Sequence, residues 1–120
     1  RLIESGYLEL AGPHHGAALH QAYADADACV FPSICEAFGH PMLEALALDR
    51  PLVCLDRPFA REICGEHALY VDPGRPEDLV DLWRRWPQPA GTLTALPPGE
   101  LARRFSWEGH VARLLAGLLG

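Results

Sequence analysis

Pro32-Ser33-Ile34-Cys35-Glu36-Ala37-Phe38-Gly39-His40-Pro41-Met42-Leu43-Glu44-Ala45-Leu46-Ala47 follows directly on an apolar run, Ala28-Cys29-Val30-Phe31. The run has the length and composition of a buried strand, and Pro32 ends it. Beyond Gly39 and Pro41 the residues turn helical in character, so the whole reads as strand, loop and helix start. Proline suits the first turn of a helix, where its missing N–H would have had no partner. The amides of Met42, Leu43 and Glu44 are then expected to point out of the helix N-terminus, a setting that favours a phosphate.

Two carboxylates bracket the element, Glu36 in the loop and Glu44 in the helix, with seven residues between them. On one continuous helix, eight steps would leave them roughly 80° apart and about 12 Å along the axis. An extended loop separates them further. Acid and base carboxylates of a glycoside hydrolase stand roughly 5 to 9.5 Å apart, so a hydrolytic pair is disfavoured. The spacing instead gives each acid its own part of one long ligand. Glu44, whose Cα–Cβ bond tilts towards the helix N-terminus, is placed to accept hydrogen bonds from a ribose beside a diphosphate. Glu36 is placed to meet what hangs from the far phosphate. The plainer reading makes them two surface acids around a helix cap.

Glu36-x7-Glu44, framed by Pro32-Ser33, by Ala37-Phe38-Gly39-x-Pro41 and by Leu43-Glu44-Ala45, resembles the nucleotide-sugar signature of retaining GT-B glycosyltransferases, in particular glycosyltransferase family 4. Asp27-Ala28, Pro51-Leu52-Val53, Glu62-Ile63, Val71-Asp72-Pro73 and Phe105-Ser106-Trp107 fall in the order that family shows, so the resemblance covers roughly residues 7 to 115. It implies that Glu44 binds the ribose hydroxyls. Glu36, also the catalytic candidate, would hold the donor sugar together with the backbone at Phe38 and Gly39. It implies too that the amides of Met42 and Leu43 take the diphosphate, and that Gly12, Pro13 and His14 lie near the nucleobase. His40 stands where the family often carries leucine, inside the sugar loop. No metal or other cofactor is implied, the nucleotide sugar being a substrate.

The chain has 120 residues, 49% of them hydrophobic, enough for one domain with a real core. Its formal net charge is -6 and its ten cationic residues are all arginine. Excess acid and the lack of a basic run argue against a nucleic-acid partner. No stretch reaches the roughly 18 uninterrupted apolar residues of a membrane span, and no signal-peptide pattern opens the sequence. A cytoplasmic setting is therefore expected, with peripheral contact at the inner face of a membrane as the second setting. Cys29, Cys35, Cys54 and Cys64 lack a C-x-x-C spacing and read as buried free thiols. A zinc site drawn from Cys35, His40, His14 and His15 has no ligand spacing behind it. The Asp25-Ala26-Asp27 triplet precedes a strand, whereas the metal motif of GT-A transferases follows one, so it reads as no metal site. His14, His15, His20, His67 and His110 read as packing or surface residues.

Tyr7-Leu8-Glu9-Leu10 reads as a short strand and residues 16–24 as a helix. Pro51-Leu52-Val53-Cys54-Leu55 has the continuous apolar character of a parallel strand buried on both faces. Residues 59–64 form a short helix with Gly65 as its left-handed cap. Ala68-Leu69-Tyr70-Val71 is a further strand. Pro76 opens a helix with Glu77 and Asp78 in its first turn, where the macrodipole favours acids. Its stripe Leu79, Leu82, Trp83 and Trp86 is expected in the core. Breaks fall at 87–91 and 97–99. Two helices follow, over 100–104 and 107–119, the latter carrying Val111, Leu114, Leu115 and Leu118.

Alternating strands and helices with short connections predict an α/β fold, a Rossmann-like parallel sheet with flanking helices. In the order 3-2-1-4-5-6 the resemblance makes residues 7–10 strand three and residues 28–31 strand four, leaving strands one and two upstream. The chain is thus expected to be the partial C-terminal half of a GT-B fold. An amino-terminal acceptor domain and an upstream Arg/Lys pair for the diphosphate would lie outside it. The expected partners are a nucleotide-sugar donor and, through that other domain, an acceptor glycan, lipid or small molecule. The fragment alone is expected to be inactive. It is also expected to cover the free edge of 28–31 by re-pairing with 7–10 or by self-association. Alternatives are a nucleotide-sugar epimerase, a phosphorylase-type relative, or a binding module without chemistry.

Overall fold

The structure, a computed structural model, describes residues 2–84, 97 and 99–119. Trp86 and the expected breaks at 87–91 and Pro98 lie outside the described residues. The elements run α1 (Ala17–Asp25), β1 (Cys29–Phe31), α2 (His40–Ala47), β2 (Leu52–Leu55), α3 (Pro58–Cys64), β3 (Leu69–Val71), α4 (Glu77–Arg84), α5 (Glu100–Phe105) and α6 (Trp107–Leu119).

The three strands form a parallel sheet in the order β1-β2-β3, with Val30 opposite Val53 and Cys54 opposite Tyr70. Sequential order with a helix in each connection is what the strand-four to strand-six portion of a Rossmann-like sheet requires. Side chains alternate across a strand, and the register puts Cys29, Phe31, Leu52, Cys54 and Tyr70 on one face. That face packs against α2 and α3 through Met42, Ala45, Leu46, Ala60, Ile63 and Cys64. Val53 points the other way yet is only 1% exposed, so the central strand is covered on both faces as its continuous apolar run predicts. Each fully buried side chain of this size stabilises by about 1.5–3 kcal/mol. Cys54 and Cys64 are hydrogen-bonded to each other inside this layer, and that bond with burial pushes the Cys54 thiol up. All four cysteines are free. Cys54 and Cys64 are buried and Cys29 half-buried, but Cys35 is exposed, against the expectation of burial.

Three sequence expectations change. Residues 7–10 are not a strand. The Tyr7 and Leu8 amides both donate to the Leu2 carbonyl at 3.0 and 3.1 Å, so the donors a ladder would need are used in a local turn, and Tyr7 and Leu10 stay exposed. The edge of β1 is therefore not covered by re-pairing with that segment. The α4 stripe is not core either: Leu79 and Leu82 are half-buried and Trp83 is 50% exposed. Of the residues named for α6, Leu114 and Leu115 are exposed and Val111 is half-buried, while the side chain of Leu118 lies outside what the structure describes. Among the described residues no helix is long and apolar enough to cross a membrane.

Candidate functional site

The site lies where β1 runs out at its carboxyl end and the chain crosses to α2. Gly39 is buried and left-handed, at φ 76° and ψ 38°, and serves as the N-cap of α2. A Cβ there would run into Met42 Cε and stand 2.7 Å from Ile63 Cδ1, so the tight approach of loop to core demands glycine. The left-handed backbone swings the Gly39 carbonyl into the helix, where it accepts from the amides of Met42 at 3.0 Å and Leu43 at 3.3 Å. These amides are thus not open, unlike in the sequence expectation. Because the helix starts at His40, and Pro41 has no N–H, the amides without a hydrogen bond at the tip are those of Gly39 and His40 among the described residues. Glu44 consequently falls just past the first turn rather than within it.

Each acid is held by a hydroxyl. The Ser33 Oγ lies 3.0 Å from Glu36 Oε1 and 2.9 Å from the Cys35 carbonyl, so the start of the loop fixes the half-buried Glu36. The Tyr23 hydroxyl, on α1, donates to Glu44 Oε2 at 3.0 Å and lies 3.4 Å from the Pro41 carbonyl. Burial, then the hydrogen bond to Glu44, push the Tyr23 phenol up to about 12, so it stays a donor through neutral pH.

Phe38 is 48% exposed, its ring centroid 4.7 Å from that of His40 and 6.3 Å, edge-on, from that of Phe105 on α5. The Arg104 guanidinium donates to the Glu62 carbonyl near the end of α3, where a cation suits the helix dipole. The Phe38–Phe105 contact seats α5 against the loop and the Arg104 bond seats it against α3. The loop and the first turns of α2 carry Glu36, Phe38, Gly39, His40 and Glu44, with the Phe38 and His40 rings in contact, Met42 buried and Leu43 half-buried. Among the described residues, Gly12, Pro13 and His14 make no hydrogen bond to this element. The His14 Nδ1 donates locally to the Gly12 carbonyl at 3.1 Å, and around Gly12 there is open space. Among the described residues no group of three or more His, Cys, Asp or Glu could hold a metal ion.

Sequence reasoning gave Tyr23, Ser33 and Phe105 no role in the site. Only the phenol on an otherwise apolar helix spacing carried a signal, since a buried tyrosine hydroxyl needs a partner.

The family model described as glycosyl transferases group 1 matches residues 2–86. Over 100 residues the chain is 35% identical to the serotype-specific mannosyltransferase WbdA of Escherichia coli, covering 83% of this chain and 12% of that protein. It is 30% identical over 117 residues to the O-antigen chain mannosyltransferase B of Escherichia coli, 90% of this chain and 29% of the relative. With the O-antigen chain mannosyltransferase RfbU of Salmonella typhimurium it shares 45% identity over 51 residues, 42% of this chain and 14% of that one. The chain thus spans between about an eighth and a third of the length of these relatives. No solved structure gives a significant match.

Proposed function

Since the chain belongs to the group 1 glycosyl transferases, we propose that it supplies the nucleotide-sugar donor site of a retaining mannosyltransferase acting on the cytoplasmic side of a membrane. The observation that carries this reading is the pair of acids, Glu36 held by the Ser33 hydroxyl of its own loop and Glu44 by the Tyr23 hydroxyl of α1, bracketing a helix start that no side chain caps. The Glu44 carboxylate accepts from the ribose hydroxyls. The diphosphate lies against the open amides of Gly39 and His40, at the positive end of α2 and over Met42 and Leu43. Glu36, with the backbone at Phe38 and Gly39 and the exposed ring of His40, holds the sugar.

When the bond from the anomeric carbon to the diphosphate breaks, its electron pair stays on the leaving phosphate oxygen and positive charge spreads over the sugar ring. Fixed N–H donors at the helix tip stabilise the developing negative charge without reorganising. The acceptor hydroxyl oxygen forms the new bond on the face the diphosphate leaves and passes its proton to the departing phosphate oxygen, so the step balances and configuration is retained. No step in this scheme calls on a metal ion.

A charged hydrogen-bond partner is worth roughly 1.5–3 kcal/mol, so Glu44→Ala in the full-length protein should weaken donor binding about tenfold to a hundredfold. Calorimetry with UDP, GDP and ADP sugars on the complete protein reads both the loss and the preferred base. Unchanged binding after that substitution would remove the ribose role.

A further inference from the structure

We propose that Tyr23 is a positioning residue for the donor ribose, holding the Glu44 carboxylate in the one orientation that lets it accept from two neighbouring hydroxyls at once. The inference rests on the ribose role given to Glu44 above. Glutamate carries three rotatable side-chain bonds, and a solvent-facing one spreads over many rotamers. Glu44 is not left to do so. The body of Tyr23 packs against the core cluster, and its hydroxyl reaches Glu44 Oε2 at 3.0 Å from a helix 21 residues earlier in the chain. The competing acceptor, the Pro41 carbonyl, is further off at 3.4 Å, and a hydroxyl has one proton. That proton goes to the charged and nearer oxygen.

An ionised carboxylate offers about four lone-pair sites on its two oxygens. Tyr23 takes one, which fixes the plane of the group and leaves both oxygens able to accept. A vicinal cis-diol presents two donors side by side, and a carboxylate already fixed in plane meets both without losing further side-chain freedom on binding. Tyr23 would thereby act on the hydroxyls of the ribose through Glu44, and on nothing else in the ligand.

This distinguishes positioning from a merely structural bond. In the full-length protein, the probes are UDP, GDP and ADP and their 2′,3′-dideoxy counterparts, with binding read by calorimetry for whichever base binds. The quantity of interest is the ratio of dideoxy to ribo dissociation constants within one sample, which does not depend on the fraction of protein folded. Tyr23→Phe is expected to weaken ribonucleotide binding about three- to tenfold, to leave dideoxynucleotide binding unchanged, and so to shrink the ratio by the same factor. Adding Tyr23→Phe to Glu44→Ala should cost nothing more. Equal losses for the ribo and dideoxy probes, an unaltered ratio, or an added loss in the Glu44→Ala background would each overturn the positioning role. The two readings fail separately. If Glu44→Ala itself leaves the ratio intact, the ribose site falls and the inference with it; if Glu44→Ala collapses the ratio and Tyr23→Phe does not, only the inference falls.

Discussion

Helices α2 and α6 are about equally apolar, yet the layer that α2 and α3 make on the sheet ends differently from α6 and from the apolar stripe of α4. Leu52 is 1% exposed, whereas Leu114 is 52% and Trp83 50% exposed. Apolar content does not separate them; partners do. Strands β1 to β3 are tied by a continuous ladder, and each crossover helix returns over the same face, so their apolar sides meet within a few residues of chain. For α4 and α6 a stripe at helical spacing says which face is apolar but not what it packs on. The largest expected effect follows. Leu52→Ala should cost about 2–5 kcal/mol in urea denaturation, and Leu114→Ala less than about 0.5 kcal/mol. A comparable loss for both would mean that α6 carries core in solution and would erase the contrast.

Gly39 joins the packed layer to the proposed donor loop, because that loop is anchored by burial of its backbone at Gly39. With φ at 76° and no room for a Cβ between Met42 and Ile63, Gly39→Ala should lose about 2–4 kcal/mol, from left-handed strain together with overpacking. Donor binding should fall with it even in the fraction that stays folded, since the amide of the N-cap residue would be displaced. Wild-type stability in this variant would show that the left-handed turn at the tip is not occupied in solution. A smaller effect is expected at Phe105, whose ring meets Phe38 edge-on at 6.3 Å. Such a pair is worth about 0.5–1.5 kcal/mol beyond its buried area. Phe105→Ala should weaken binding of the sugar nucleotide more than of the free nucleoside diphosphate, because the proposed role of Phe38 is to hold the sugar. Equal weakening of the two would place α5 outside the site.

The same contrast explains how much could be read before any coordinates. The units from 28 to 71 were legible because a parallel strand buried on both faces leaves an unbroken apolar run, and because Pro41 sits where a helix begins. Glu36, Gly39 and Glu44 were legible as a spacing. Their supports were not: Tyr23 reaches Glu44 across 21 residues, and Phe105 reaches Phe38 across most of the chain. No local pattern encodes a contact of that range. Residues 7–10 misled for the opposite reason. Alternating apolar residues announce a strand, but the turn at residues 2–8 claims their amides first. The open amides lie at Gly39 and His40 rather than at Met42, Leu43 and Glu44, because Gly39 caps the helix and its carbonyl takes the amides of Met42 and Leu43. Gly65 has the expected positive φ of 54°, although its ψ of -123° puts it outside the left-handed helical region.

The smallest expected effect sets the two half-buried tyrosines against each other. Tyr70 belongs to the core layer, its hydroxyl donating to the Gly65 carbonyl at 2.7 Å, and burial pushes its phenol up to about 12, the same level as Tyr23 at the site. Both values are raised above the unfolded phenol near 10. The fold therefore favours the neutral form. Its contribution is fully present below about pH 10 and is lost as the pH climbs through about 12, with no counterpart on the acid side. Absorbance at 295 nm should show each ionising late, and Tyr23→Phe or Tyr70→Phe should each remove one late-titrating group. Their stability effects should differ. Removing the Tyr70 hydroxyl leaves the Gly65 carbonyl at the end of α3 without its donor and should lower the urea midpoint by the equivalent of about 1 kcal/mol. Tyr23→Phe frees a carboxylate that water can reach, and should move that midpoint less. If Tyr23→Phe proved the more destabilising of the two, the Tyr23–Glu44 bond would belong with the core rather than the ligand tip, and the division between the two regions would have to be redrawn through α1.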